Sequence, residues 1–182
     1  MIYRNTYKLK DVCKKIFSGG TPSTQHPEYW NGSLLWLSSG ETNKRFIFDT
    51  NKKITQSGVD NSSTRCARAN STVVASAGQG HTRGQVSFLM TDTYINQSII
   101  TLEPDVEIIN PLYLYYNLDC RYEEFRQLSD GTSTRGSLSN KIVNSMEIIV
   151  PGIEEQNAIS SILYILDMKI LENNRINNNL VA

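Results

Sequence analysis

At Pro151-Gly152 the chain changes character, and this break constrains the fold more than any other feature of the sequence. Upstream, short apolar runs alternate with clusters of Gly, Asn, Asp and Ser, the pattern of short strands joined by turns. Downstream, IEEQNAISSILYILDMKILENNRINNNL holds neither Gly nor Pro, and Ile159, Leu163, Leu166 and Ile170 recur four and three residues apart. That is the spacing of a heptad seam, and Asn173 and Asn177 take its next two positions before Leu180. Polar Asn at a seam position tends to set register and partner number. A helix of this length, ~40 Å at about 1.5 Å per residue, outreaches a small sheet domain. Two arrangements fit the pattern, an amphipathic helix lying on its own domain and a coiled coil with a partner, and the seam favours the coiled coil. The expected division is a domain over residues 1–150 and a spacer or dimerisation helix over 151–182.

Within the first part, Tyr7 to Phe17 reads as a short helix or strand with Leu9, Val12 and Ile16 inward, and it ends in the turn-rich SGGTPST of Ser18 to Thr24. Strands are expected at Leu34 to Ser38, Arg45 to Phe48, Ser71 to Ala77, Gln85 to Met90, Asn96 to Leu102 and Met146 to Val150. Asn110, with Pro111 behind it, caps a helix expected to run to about Leu128. A loop follows from Ser129 to about Asn140. The fold class is therefore α+β, a curved mixed or antiparallel sheet with short helices followed by one long helix.

With 182 residues and 39% of them hydrophobic, the chain can bury a genuine core. No apolar run approaches the ~18 residues of a membrane span, and the polar start MIYRNTYKLK is not a secretory leader, so a cytoplasmic protein without membrane association is expected. Cys13, Cys66 and Cys120 are odd in number and include no CxxC pair, which argues against a disulfide framework or a zinc site and for reduced, buried thiols. The formal net charge of zero conceals an asymmetry. Residues 1–102 hold 12 Lys and Arg against 6 Asp and Glu, and residues 103–182 hold 6 against 12. One half can face a polyanion and the other cannot.

The loop GQGHTRGQ, Gly78 to Gln85, follows the apolar run STVVASA. Glycines let backbone N–H groups approach phosphates, yet neither nucleotide-binding pattern fits. The dinucleotide fingerprint needs glycine where Arg83 stands, and the Walker pattern needs Lys and Ser or Thr where Gln85 and Val86 follow. A hairpin turn accounts for the glycines but not for His81 and Arg83. Catalytic patterns are equally scarce. Asn110-Pro111-Leu112-Tyr113 departs at Leu112 from the Asn-Pro-Pro-Tyr motif of amino-methyltransferases, and an ordinary helix cap explains it. The two histidines, His26 and His81, lie in separate loops without a Gly-x-Ser-x-Gly turn, which disfavours a hydrolytic triad. Glu154 and Glu155 fall in the first turn of the long helix, where negative charge complements the dipole.

Three loops of one composition remain: SGGTPST, GQGHTRG and GTSTRGS, the last two sharing Thr-Arg-Gly at Thr82 to Gly84 and Thr134 to Gly136. Small hydroxylated residues and glycines suit phosphate contacts through N–H and O–H groups, and Arg suits either a phosphate or the bidentate edge of guanine. Expected DNA contacts are Gly20, Thr21, Ser23, Thr24, Gly80, His81, Thr82, Arg83, Ser133, Thr134, Arg135 and Lys141.

Taken in order, Gly19-Gly20-Thr21-Pro22-Ser23, Pro27-Glu28-Tyr29-Trp30 leading to Leu35-Trp36-Leu37-Ser38, Gly78-Gln79-Gly80 with Arg83-Gly84, Asn96-Gln97, and Pro151-Gly152-Ile153-Glu154-Glu155-Gln156 resemble the specificity subunit of type I restriction-modification systems. The resemblance spans nearly the whole chain. It implies one target recognition domain with a curved mixed sheet, followed by a spacer helix, where family members usually carry two such halves. It further implies double-stranded DNA as ligand, and methyltransferase subunits and a restriction motor subunit as partners. No cofactor is expected in this chain, since S-adenosylmethionine would sit on the methyltransferase partner. A single half invites a homodimer through Ile159, Leu163, Leu166, Ile170, Asn173 and Asn177. The rival readings are a recognition domain cut from a fused methyltransferase-endonuclease, and a small adenine methyltransferase relying on Asn110 to Tyr113.

Overall fold

The structure, a computed structural model, describes residues 5–130 and 136–181. In chain order the elements are β1 (Asn5–Lys8), α1 (Leu9–Val12), β2 (Cys13–Ser18), β3 (Trp30–Leu37), β4 (Phe46–Ile47), β5 (Lys52–Ile54), α2 (Gln56–Asp60), β6 (Arg65–Ala67), β7 (Thr72–Ala75), β8 (Val86–Leu89), β9 (Thr93–Ile95), β10 (Ile99–Pro104), α3 (Pro111–Asp119), α4 (Tyr122–Asp130), α5 (Asn140–Ser145), β11 (Glu147–Val150) and α6 (Ile153–Val181). The α+β class and the long terminal helix are as expected. Where one curved sheet was expected, the strands divide into a five-stranded sheet ordered β2-β10-β7-β8-β4, a four-stranded sheet ordered β5-β3-β9-β6, and the pair β1-β11. The sheets are mixed, because β4 pairs with β8 and β3 with β9 in parallel while the remaining pairs are antiparallel.

The five-stranded sheet is covered on both faces, and this explains the near-continuous apolar runs of β7, β8 and β10. Successive side chains on a strand point to opposite faces. Val73, Leu89 and Ile99 accordingly meet Leu37, Ala67 and Ile95 of the four-stranded sheet. Their neighbours Val74, Phe88 and Ile100 meet Leu114, Leu118 and Phe125 from the helices. A strand with two buried faces cannot show period-two alternation, and buriable residues at every position are the physical requirement.

Asn110 caps α3 as expected, its Oδ1 accepting from the N–H groups of Leu112 (2.8 Å) and Tyr113 (3.0 Å). The helix ends earlier than expected, at Asp119, and α4 starts a new direction at Tyr122. Arg121 stabilises the corner by donating to the Glu124 carboxylate and to the carbonyl of Glu147 (2.8 Å). The thiols also differ from expectation. Cys13 is buried, and burial pushes its thiol up to about 12, but Cys66 is half-buried and Cys120 is exposed at that same corner. Cys120 is exposed because it follows the last turn of α3 instead of facing the core.

The long helix α6 meets the domain with a face other than its seam. Gln156 and Ser160 are buried, and Tyr164 and Met168 pack against the helical core. At about 100° per residue these positions form one stripe, and the seam lies roughly 110° to its side. Leu166 and Ile170 are each 56% exposed, so the apolar seam stays open along the helix.

Among the described residues, the buried hydroxyls of Thr72, Thr101 and Tyr115 lack a hydrogen-bond partner. The Tyr115 ring is wedged among Phe46, Phe88 and Tyr116 at centroid distances of 5.5, 5.6 and 4.9 Å, and its hydroxyl makes no hydrogen bond among the described residues. A buried hydroxyl without a partner costs about 1–3 kcal/mol. Tyr115→Phe is therefore expected to leave stability to urea unchanged or to raise it by about 1 kcal/mol, and a loss of that size would show that the hydroxyl is bonded.

Candidate nucleic-acid interface

The register of the five-stranded sheet decides which loops meet. Ser18, the last residue of β2, lies opposite Ile100, and Ala75, the last of β7, lies opposite Ile99 at the start of β10. The loops that leave β2 and β7 and the turn that enters β10 therefore emerge at one end of the sheet. Backbone bonds join them there, Gly19 N to Asn96 O at 3.2 Å, Gly20 N to Ile95 O at 3.1 Å and Ser76 N to Ser98 O at 2.9 Å. The segment entering α5 closes the group, with Leu138 N donating to Ser76 O at 2.9 Å and Ser18 Oγ to Asn140 Oδ1 at 3.2 Å.

Each loop is held from beneath. Gly20 is buried against Ser63, and its carbonyl accepts from Trp36 Nε1 at 3.2 Å, so this glycine positions its loop from below its surface. Thr21, Ser23 and Thr24 are exposed beyond it, and the Thr21 hydroxyl meets Gln97 Oε1 at 2.6 Å. The second loop turns through Gly80 at φ 59° and Gly84 at φ 89°, left-handed conformations that favour glycine. Helix α4 braces it: Tyr122 Oη donates to His81 O at 3.1 Å and Arg126 Nη1 to Gly80 O at 2.7 Å. Gly80 and His81 remain exposed, and Thr82 is half-buried.

Arg83 requires a correction. Its residue is 7% exposed, its guanidinium is paired with Asp130 of α4, and Gly136 packs directly against that guanidinium. The side chain turns inward and props the loop, so it is not offered to a ligand in solvent. Gly136, at φ 57°, takes a left-handed conformation that favours glycine, and a Cβ there would force the Arg83 guanidinium to shift. Ser133, Thr134 and Arg135 lie outside the described residues. Lys141 is exposed in the first turn of α5, whose N-cap Ser139 Oγ accepts from Ile142 N at 3.3 Å.

One exposed cation at this end escaped the sequence reading. Arg65 of β6 lies opposite Ile95, beside the Gly19-Gly20 loop, and its guanidinium sits over the Phe17 ring at 4.1 Å. Neither Arg65 nor Lys141 pairs with a carboxylate among the described residues. Ser62-Ser63-Thr64 directly precedes Arg65, a hydroxylated run that could have marked it, whereas Arg68 stands between Ala67 and Ala69 and its guanidinium is spent on Asp92 at 2.6 Å. The β6–β9 register places Arg65 at the sheet end.

The surface that results carries hydroxyls, backbone polar groups and fixed cations on a rigid sheet end. No cluster of His, Cys, Asp and Glu able to hold a metal occurs among the described residues. No helix among them is long and apolar enough to cross a membrane.

The inward and outward arginines separate by experiment. Arg83→Ala is expected to lower stability by about 1–2 kcal/mol through lost packing and hydrogen bonds, whereas Arg65→Ala and Lys141→Ala stay within about 0.5 kcal/mol of the parent. Thermal unfolding of the three variants checks this.

A family profile described as "Type I restriction modification DNA specificity domain" matches residues 4–181. The EcoR124I/EcoR124II specificity subunit of Escherichia coli is 29% identical over 157 residues, 82% of this chain and 37% of that protein. The MjaIX specificity subunit of Methanocaldococcus jannaschii is 26% identical over 178 residues, 96% of this chain and 40% of that protein. The chain thus spans about two-fifths of the length of these relatives. The crystal structure of the type I S subunit from M. genitalium shares the fold with a TM-score of 0.72 at 14% identity, covering 98% of this chain and 42% of its own. The HsdS subunit of Thermoanaerobacter tengcongensis does so with a TM-score of 0.68 at 16% identity, covering 95% and 39%.

Proposed function

Because the chain belongs to the type I restriction-modification DNA specificity family, whose members specify DNA and leave catalysis to partner subunits, we propose that it reads one half of a bipartite target in double-stranded DNA and docks methyltransferase subunits. The observation that carries this reading is the convergence of the Thr21–Thr24, Gly78–Thr82 and 136–141 segments at one sheet end, with Arg65 and Lys141 beside them. Residues 1–150 form the recognition domain in this proposal, and 151–182 the spacer helix. Phosphate contacts fall to Arg65, Lys141 and the exposed hydroxyls, and base contacts to the more exposed loop tips at Ser23, Thr24, Gly80 and His81. Ser133, Thr134 and Arg135, which lie outside the described residues, are assigned to the same DNA contact in this proposal. Arg83 acts through the loop it supports.

Two copies associate through the open seam of Ile159, Leu163, Leu166 and Ile170, with Asn173 and Asn177 setting register. The pair supplies the two recognition halves of a longer relative, and its target is two half-sites around an unread gap. Methyl transfer from S-adenosylmethionine and cleavage by the motor subunit lie on partners.

Selection of oligonucleotides from random DNA by the complex with methyltransferase subunits tests the reading. A bipartite consensus is expected, and failure to enrich any sequence would overturn it. Once a site is known, Arg65→Ala and Lys141→Ala should each weaken binding across all sequences and reduce the salt slope by about 1, as loss of a phosphate contact does. Incubated alone with labelled S-adenosylmethionine and DNA, the chain should transfer no methyl group. For the association, sedimentation should show a dimer that Leu166→Asp with Ile170→Asp converts to a folded monomer. A monomeric parent at high micromolar concentration would rule out self-pairing.

A further inference from the structure

Helix α6 is tied to the recognition domain at two points on one face. Near its start, the buried Gln156 accepts from Asn110 N at 2.7 Å and donates to the carbonyls of Pro151 at 2.9 Å and Ile108 at 3.3 Å. Eleven residues on, about three turns and ~16 Å further along the axis, Asp167 accepts from Arg45 Nη2 at 3.2 Å and from Tyr116 Oη at 2.9 Å. Arg45 is itself held by Asp119 at 3.0 Å and lies over the Tyr115 ring at 5.8 Å. The Asp167 side chain is 12% exposed, so the tie is largely shielded from water. Past Met168 every described residue of the helix is exposed, and a groove of about 360 Å³ opens between Phe46 and Phe48 on one side and Ile170 and Leu171 on the other. Among the described residues, the Arg45–Asp167 pair is thus the last polar tie before the helix leaves the domain.

A rod held at one point can swing, and a rod held at two points on one face has a set direction. From Gln156 to the helix end is ~37 Å at about 1.5 Å per residue. A rotation of about 5° around Gln156 would move that end by about 3 Å, close to the rise of one base pair. Small errors of angle at the domain therefore become whole base pairs at the far end.

We propose that the Arg45–Asp167 pair, working against the Gln156 anchor, sets the angle of α6 on its domain and thereby the number of unread base pairs between the half-sites. Asp167 and Arg45 are positioning residues, remote in role from base contact. The proposal rests on the bipartite reading above.

The test uses the complex with methyltransferase subunits and a bipartite DNA selected by the unaltered complex, its gap varied one base pair at a time. Asp167→Asn keeps shape without charge, Arg45→Met keeps the half-exposed stem without the guanidinium, and Asp167→Glu keeps the charge. The first two variants are expected to lose at least about threefold of the affinity ratio between the preferred gap and its neighbours, or to move the preference, because a charge-assisted contact is gone. Binding to a single half-site should stay at the parent level, and Asp167→Glu should retain gap discrimination. If both charge-removing variants discriminate gaps as the parent does, or lose affinity equally at every gap, the pair is merely structural and the proposal is overturned. If the unaltered complex shows no gap preference, the bipartite reading fails and the proposal fails with it.

Discussion

The side-chain amide of Gln156 is the junction on which the two parts of the molecule depend. It is 1% exposed and satisfies one backbone N–H and two backbone carbonyls that belong to the chain segments entering α3 and leaving β11. An apolar residue of similar size would leave those groups buried and unpaired, at about 1–3 kcal/mol each. The same amide joins the cap of α3, the end of β11 and the first turn of α6. Asn110 extends the junction by donating from Nδ2 to Asn157 at 2.8 Å. Helix α6 is therefore an outgrowth of the core with a defined origin.

The five-stranded sheet does for the loops what Gln156 does for the helix. Covered on both faces, it gives β2, β7 and β10 little freedom, and their shared end inherits that rigidity. Contact residues on loops are useful for recognition only when the scaffold holds them still. Here the scaffold includes Trp36 under Gly20, helix α4 under Gly80 and His81, and Arg83 between the second loop and Gly136. In the proposed assignment, recognition falls to outward groups such as Thr21 and Arg65 and support to inward groups such as Arg83.

Much of this layout was legible in the residues. The doubly buried strands announced themselves as near-continuous apolar runs, the cap at Asn110 as Asn-Pro before an aromatic run, and the helix by its freedom from Gly and Pro. The strands β5, β6 and β9 were missed because KKI, RCA and TYI are three residues long and show no periodicity of their own; their partners in the four-stranded sheet hold them. The break between α3 and α4 was missed because Arg121 makes it through a contact with Glu147, remote in sequence. Arg83 looked like a ligand contact because its neighbours are small and polar, and only the position of Asp130 turns it inward. The docked face of α6 was hidden for a related reason. Gln156 and Asp167 are polar and are held by hydrogen bonds to the domain, and the Ser160 hydroxyl is satisfied within the helix, so these positions leave no trace in a hydrophobic pattern.

The hydroxyls, backbone groups and cations of the sheet end are in keeping with a family of DNA-specificity chains. The most direct test is hydrogen exchange on the complex with methyltransferase subunits, with and without its selected DNA. Slowed exchange is predicted at Thr21–Thr24, Gly78–Thr82 and the 136–141 segment, with Arg65 on the same border. Protection confined to the β1–β11 pair or to the exposed face of α2, with these loops unchanged, would contradict the assignment of the sheet end as the DNA-reading face.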